Sequence, residues 1–67
     1  MMYLTVNGLV HRYEVLPTLL QLLQELGVEG RRVAVECNGD IVPRSQYGHV
    51  MLNSGDCLEI VVAVGGG

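Results

Sequence analysis

The sequence predicts an α+β fold in which a mixed β-sheet carries a single helix on one face. Three observations lead to it. An Asn-Gly pair joins two β-rich runs at the start, in "MYLTVNGLVHRYEV". A capped leucine stripe follows, in "LPTLLQLLQELGV". The last long run, "CLEIVVAV", is apolar on nearly every position, as a strand buried at the centre of a sheet tends to be. Hairpin, helix, strand, short strand and long strand make a two-layer arrangement of one sheet and one helix.

The first run sets its own register. Asn7-Gly8 suits a two-residue type I′ turn, which needs positive φ at both positions, and that turn sets Val6 opposite Leu9. Period-two alternation then puts Met2, Leu4, Val6, Leu9, Tyr13 and Val15 on one face and Tyr3, Thr5, Val10, Arg12 and Glu14 on the other. His11 falls on the apolar side, partly buried near a strand edge, with no second ligand at metal spacing.

The helix has both of its ends written out. Thr18 and Gln21 form a T-x-x-Q capping box, each side chain satisfying a backbone N–H of the first turn. Leu19, Leu22, Leu23 and Leu26 recur at i, i+3, i+4 and i+7, a single apolar stripe for the core. Gly27 supplies the left-handed residue that ends a helix. The stripe lasts barely two turns, too short for a coiled coil.

"RRVAVECNGDIVPR" gives the third strand, with Val33, Val35 and Cys37 inward, then a turn at "NGD" and a short Ile41-Val42 strand stopped by Pro43. "RSQYGHVMLNSG" is an irregular connection with room for one 3₁₀ turn. In the final strand alternation turns Leu58, Ile60, Val62 and Val64 inward. Placed at the sheet centre, beside the first strand and parallel to it, this strand completes the β-grasp arrangement. Residues 1–64 form one domain on this reading, and residues 65–67 a flexible glycine tail.

Composition limits what such a domain can do. A chain of 67 residues buries only about 60% of its unfolded surface, which leaves little room for a catalytic cleft. With 49% hydrophobic and 16% charged residues the chain is globular rather than disordered. A net charge of −3, with Arg but no Lys, speaks against a phosphate-tracking nucleic-acid binder. No run approaches the roughly 20 apolar residues of a membrane span. The opening "MMYLTVNG" lacks the basic and apolar regions of a secretory signal, so a soluble cytoplasmic protein is expected. Cys37 and Cys57 lie in strand-like runs and read as small hydrophobes, unpaired in a reducing compartment. Two cysteines also fall short of the four that an iron–sulfur domain needs, and no metal site is expected.

The remaining signal is the terminal "VVAVGGG". Without Cβ atoms, a glycine run can lie extended in a channel too narrow for side chains. Three extended glycines carry the carboxylate roughly 10 Å beyond the last strand. An α-carboxyl, with a pKa of about 3.5, is anionic at neutral pH and can act as a nucleophile. The chemistry suggested is attack of that carboxylate on the α-phosphate of ATP inside another protein. The domain offers no base, phosphate loop or metal cluster of its own. It is the substrate, with no catalytic residues, and its partner is the enzyme.

Over its whole length the chain resembles the ubiquitin-like sulfur carrier proteins, and among them most closely the ThiS carriers of thiamine biosynthesis. The resemblance rests on the "NG" hairpin, the Thr18-led leucine helix, "VECNGDIVPRSQY", "SGDCLEI" and the terminal "VGGG". Asn38, Ile41, Val42, Pro43 and Arg44, as N-x-x-I-V-P-R, favour ThiS over the molybdopterin-synthase small subunit. The resemblance implies that the carboxylate of Gly67 is adenylated by a ThiF-type adenylyltransferase and converted to a thiocarboxylate. That group would hand its sulfur to thiazole synthase (ThiG), with Gly65 and Gly66 as the threading tail. No cofactor is implied on the carrier itself. ATP and a sulfur donor are the partner's reagents, and a cysteine desulfurase is a candidate source of the sulfur. Because the sequence ends on glycine, no protease is expected to be needed to expose the carboxylate.

The helix-free face of the sheet is the expected docking surface: Tyr3, Thr5, Ala34, Val61 and Ala63, ringed by Glu36 and Glu59. Contiguous apolar surface on a small domain often marks a protein interface, though it is also what the uncovered side of a sheet looks like. Arg44 and Tyr47 suit either partner contacts or loop anchors. Alternatives to the thiazole reading are the same carrier chemistry for another acceptor (molybdopterin, thiolated tRNA or cysteine), a ubiquitin-like tag conjugated to lysines, and a passive interaction domain.

Overall fold

The structure is a computed structural model, and it describes residues 1–63. The inward position expected of Val64, the boundary expected after it and the glycines Gly65 to Gly67 lie outside the described residues. The elements are β1 (Met2–Val6), β2 (Leu9–Tyr13), α1 (Leu19–Glu25), β3 (Val33–Cys37), β4 (Asp40–Val42), a 3₁₀ turn (Arg44–Gln46) and β5 (Cys57–Val62). The sheet order is β2-β1-β5-β3-β4. β5 is central and parallel to β1, and every other pairing is antiparallel.

The local signals explain the elements. Asn7 and Gly8 have φ of +50° and +84°, and Val6 faces Leu9 across the turn. Asn38 and Gly39, at +53° and +88°, repeat the device between β3 and β4, where Cys37 faces Asp40. Both are the positive-φ pairs that a type I′ turn requires. Thr18 Oγ1 accepts from the Gln21 N–H at 3.1 Å, and the Gln21 carboxamide accepts from the Thr18 N–H at 2.9 Å, so the capping box is complete. At the other end Gly27, at φ +75°, donates to the Gln24 carbonyl and Val28 to the Leu23 carbonyl, both at 3.0 Å. That pair of bonds is a Schellman motif.

The core lies between α1 and one face of the sheet. Leu4 and Val6 of β1, Val35 of β3 and Leu58 and Ile60 of β5 are buried with Leu19, Leu22 and Leu23 of the helix. Tyr47 and Leu52 close the side, and Tyr13, Leu26, Val33 and Cys37 pack at the margin. The Tyr47 hydroxyl donates to the Val33 carbonyl at 3.3 Å, so Tyr47 anchors its loop. Arg44 is exposed and opens the 3₁₀ turn.

Three expectations need correction. Leu9 is 68% exposed and Val15 80% exposed. Leu9 starts an edge strand at the hairpin tip, and Val15 follows a strand that ends at Tyr13, so alternation alone cannot bury either. Cys57 is exposed rather than a small core hydrophobe. It is the first residue of β5 and lies opposite Thr5, on the face away from the helix. Cys37 does face the core, and burial, followed by the charges of Asp56 and Asp40, pushes its thiol pKa up. A raised pKa lowers the share of thiolate, the form in which cysteine reacts.

Candidate functional site

The central strand brings the site together. β5 rests on the core through Leu58 and Ile60, while Glu59, Val61 and the following Ala63 are exposed. Residues opposite one another in a sheet share a face, so register assigns the rest. Val61 lies opposite Ala34, and Glu59 opposite Glu36. On the other side Cys57 lies opposite Thr5, and alternation adds Tyr3. Of the five docking residues expected, Tyr3, Ala34, Val61 and Ala63 are exposed and Thr5 is half-buried, all on the helix-free face.

The same register adds side chains not counted at first. Val10 lies opposite Thr5, and Ile41, 76% exposed, lies opposite Glu36. Cys57 joins them. Val10 was within reach of alternation alone, because it follows the hairpin from Thr5. Cys57 was likewise within reach, since alternation from inward Leu58 turns it outward, whereas Ile41 required β4 to be laid beside β3.

Across the middle of this apolar field, rather than around its rim as expected, runs the Glu36–Glu59 pair. Like charges directly opposite on neighbouring strands are destabilising. Among the described residues no Arg lies within salt-bridge distance of either carboxylate. The face therefore combines aliphatic surface with an uncompensated acidic pair.

The polar groups of the helix side are occupied with structure. The Tyr13 hydroxyl donates to Glu25 Oε1 at 2.7 Å, and the half-buried His11 brings its Nδ1 to 3.9 Å from the same oxygen. Burial, reinforced by the hydrogen bond and charge of Glu25, pushes the Tyr13 pKa up to about 12. A shallow groove beside the helix start is lined by Leu16, Pro17, Thr18, Val50, Met51 and Leu52 and carries no titratable side chain. Among the described residues no group of three or more His, Cys, Asp or Glu side chains gathers to hold a metal, and no helix is long and apolar enough to cross a membrane.

The glycines expected to carry the chemistry lie outside the described residues, so the site is defined here by their root. β5 keeps its ladder to β3 through Val62, and the Ala63 N–H bonds the Arg32 carbonyl at 2.9 Å. Just beyond begins the run from Val64 to Gly67.

The fold and the face define a class, that of small β-grasp domains with one sheet face left bare. The comparisons narrow it. The sequence model of the ThiS family matches residues 4–67. The crystal structure of a thiamine biosynthesis protein (ThiS) from Geobacter metallireducens is 32% identical, with a TM-score of 0.80 over 98% of this chain and 100% of that one. A thiazole synthase from Paramagnetospirillum magneticum is 50% identical over 66 residues, 98% of this chain. Another, from Magnetococcus marinus, is 42% identical over the same share. The chain spans only 20% of the length of each of these two relatives. The chain belongs to the ThiS family.

Proposed function

We propose that this protein carries sulfur as a thiocarboxylate on Gly67 and delivers it to the thiazole ring of thiamine. A ThiF-type adenylyltransferase binds the helix-free face and receives the tail. A carboxylate oxygen of Gly67 attacks the α-phosphorus of ATP and pyrophosphate leaves. Sulfide (HS⁻) then attacks the acyl carbon; a cysteine desulfurase is a candidate source once a thiol has reduced its persulfide to sulfide. AMP departs with the oxygen it bridges, which leaves –C(O)S⁻ on the carrier. Thiazole synthase is the acceptor of that sulfur.

The observation that carries this reading is the position of β5. The strand that leads into the glycine run is the central one, locked to the core by Leu58 and Ile60 and still laddered at Ala63. A partner seated on Val61, Ala34 and Tyr3 would hold the root of the tail at Ala63, and an extended run from Val64 to Gly67 would reach roughly 14 Å further. That two relatives named thiazole synthase contain a segment matching this chain supports a synthase as one such partner.

The test is threading. Gly66→Val is expected to block ATP–pyrophosphate exchange with the adenylyltransferase far more than Gly66→Ala, because the obstacle is side-chain volume in the partner's channel. Removal of Gly67 is expected to abolish exchange, since the carboxylate would fall roughly 3.5 Å short. Normal exchange with the truncated chain would overturn the mechanism.

A further inference from the structure

Two Asn-Gly turns touch the central strand, one at each end. Asn38 sits where β5 begins: its Oδ1 accepts from the Cys57 N–H at 2.9 Å, and its Nδ2 donates to Asp56 Oδ1 at 3.0 Å. Asn7 sits where β5 leaves β1. Its Oδ1 accepts from the Ile60 N–H at 2.7 Å, and its Nδ2 donates to the Ile60 carbonyl at 3.0 Å. The backbone bonds that precede these run from Thr5 N–H to the Asp56 carbonyl at 3.0 Å and from Asn7 N–H to the Leu58 carbonyl at 2.9 Å. The parallel ladder therefore steps from 56 to 58 through backbone and on to 60 through a side chain. The carboxamide replaces the peptide group that β1 would have offered next had the chain not turned at Gly8. Past Ile60, the described residues of β5 ladder to β3 alone, Val61 to Ala34 and Val62 to Val33.

We propose that Asn7 is a positioning residue for carboxylate activation. Its carboxamide is the last clamp on the β1 side of the central strand, and it fixes the direction in which that strand leaves the sheet. The proposal rests on the activation reading given above. The physical reason is leverage. A strand held along both edges is fixed in direction, whereas one held along a single edge can pivot about that ladder. The described chain runs three residues past Ile60, to Ala63, roughly 10 Å when extended. Over that length a pivot of about 6° moves the root of the tail by about 1 Å, and a misplacement of that size at the reacting atoms can cost about a hundredfold in rate.

The turn conformation and the clamp can be separated. Asn7→Gly keeps a residue that accepts positive φ and removes only the carboxamide. Asn38→Gly does the same at the opposite end of β5 and serves as the matched control. Each variant is measured by amide hydrogen exchange and by ATP–pyrophosphate exchange with the adenylyltransferase, with the carrier as varied substrate. Asn7→Gly is expected to speed exchange of the Ile60 amide at least about tenfold. It is expected to lower kcat at least about tenfold with KM within about twofold, since the docking face is untouched. Asn38→Gly is expected to loosen the Cys57 amide and leave kcat and KM near wild type. A wild-type kcat for Asn7→Gly, an equal loss of kcat for Asn38→Gly, or a change confined to KM would each overturn the proposal. A wild-type carrier that supports no exchange at all would overturn the activation reading, and this proposal with it. Should Asn7→Gly lose its fold, Asn7→Asp carries the test. It keeps the turn preference and the acceptor for Ile60 N–H but sets an oxygen against the Ile60 carbonyl, and the same loss of kcat is expected.

Discussion

The two faces of the sheet are built from the same strands and do different work. Along β5, Leu58 and Ile60 are buried under the helix while their neighbours Glu59 and Val61 are exposed. Along β3, Val35 is buried between exposed Ala34 and Glu36, and along β1 Leu4 and Val6 are buried beside Tyr3 and Thr5. A chain this short, with no Trp or Phe, places its core burial on one face, where each square ångström of apolar area removed from water contributes about 25 cal/mol. The other face is left free to carry aliphatic side chains and an acidic pair that contribute little to stability. Substitutions one residue apart should therefore separate folding from recognition.

The largest effect is expected on the covered face. Leu22 is fully buried, and a buried Leu→Ala change costs about 2–5 kcal/mol. In a domain of this size each kcal/mol lowers Tm by about 4–8 °C, so Leu22→Ala should melt at least roughly 8 °C early by circular dichroism. An unchanged melting curve would break the comparison at its strongest point.

Val61→Asp tests the bare face. It places a carboxylate in the centre of the apolar field, next to two others, and burying it against a partner gains no counter-ion. Calorimetric titration against the adenylyltransferase should show binding weakened at least tenfold, about 1.4 kcal/mol. Folding should lose about 1 kcal/mol or less, the span of β-propensity in a host protein. Wild-type affinity would move the docking surface elsewhere.

Tyr13 sharpens the comparison at the rim of the covered face. Its pKa is raised from the unfolded value of 10.0 to about 12 by burial first and by Glu25 second. Between those values the unfolded chain has released the phenolic proton and the folded chain still holds it. The stabilisation is thus fully present below pH 10 and is lost as pH rises through about 12. Denaturant melts across that window should show stability falling, and Tyr13→Phe should flatten that fall. Tyrosine absorbance should show a late-ionising phase that Tyr13→Phe removes.

The smallest effect concerns the acidic pair, and it has the opposite sign. Glu36→Gln removes a like-charge contact across β3 and β5 and should raise stability by a few tenths of a kcal/mol, up to about 1. Added salt, which screens exposed charges, should stabilise the wild type more than the variant. A destabilised variant would show that Glu36 holds a partner within the fold.

What was legible in the sequence was what is local. The Asn7-Gly8 turn fixed its hairpin register, the Thr18–Gln21 box its helix start, and the run from Leu58 marked the central strand. What was not legible depends on which strand lies next to which. Leu9 looks inward by alternation but sits on an edge. Cys57, by contrast, reads as a core thiol only until alternation from inward Leu58 is applied to it. Ile41 joins the bare face only because β4 pairs with β3. The clamp of Asn7 on Ile60 spans nearly the whole chain, and the sequence showed only the turn it makes, not the bonds its side chain reaches. The glycine run was conspicuous for its chemistry, and Ala63 is the last described residue before it begins.

The measurement that bears most directly on the carrier reading is the intact mass of the chain after incubation with ATP, a sulfide source and the adenylyltransferase. Fragmentation of the C-terminus should accompany it. The expected result is exchange of one oxygen for sulfur, localised to Gly67 and absent when ATP is omitted. An unchanged mass with active enzyme, or a modification on any residue other than Gly67, would contradict it.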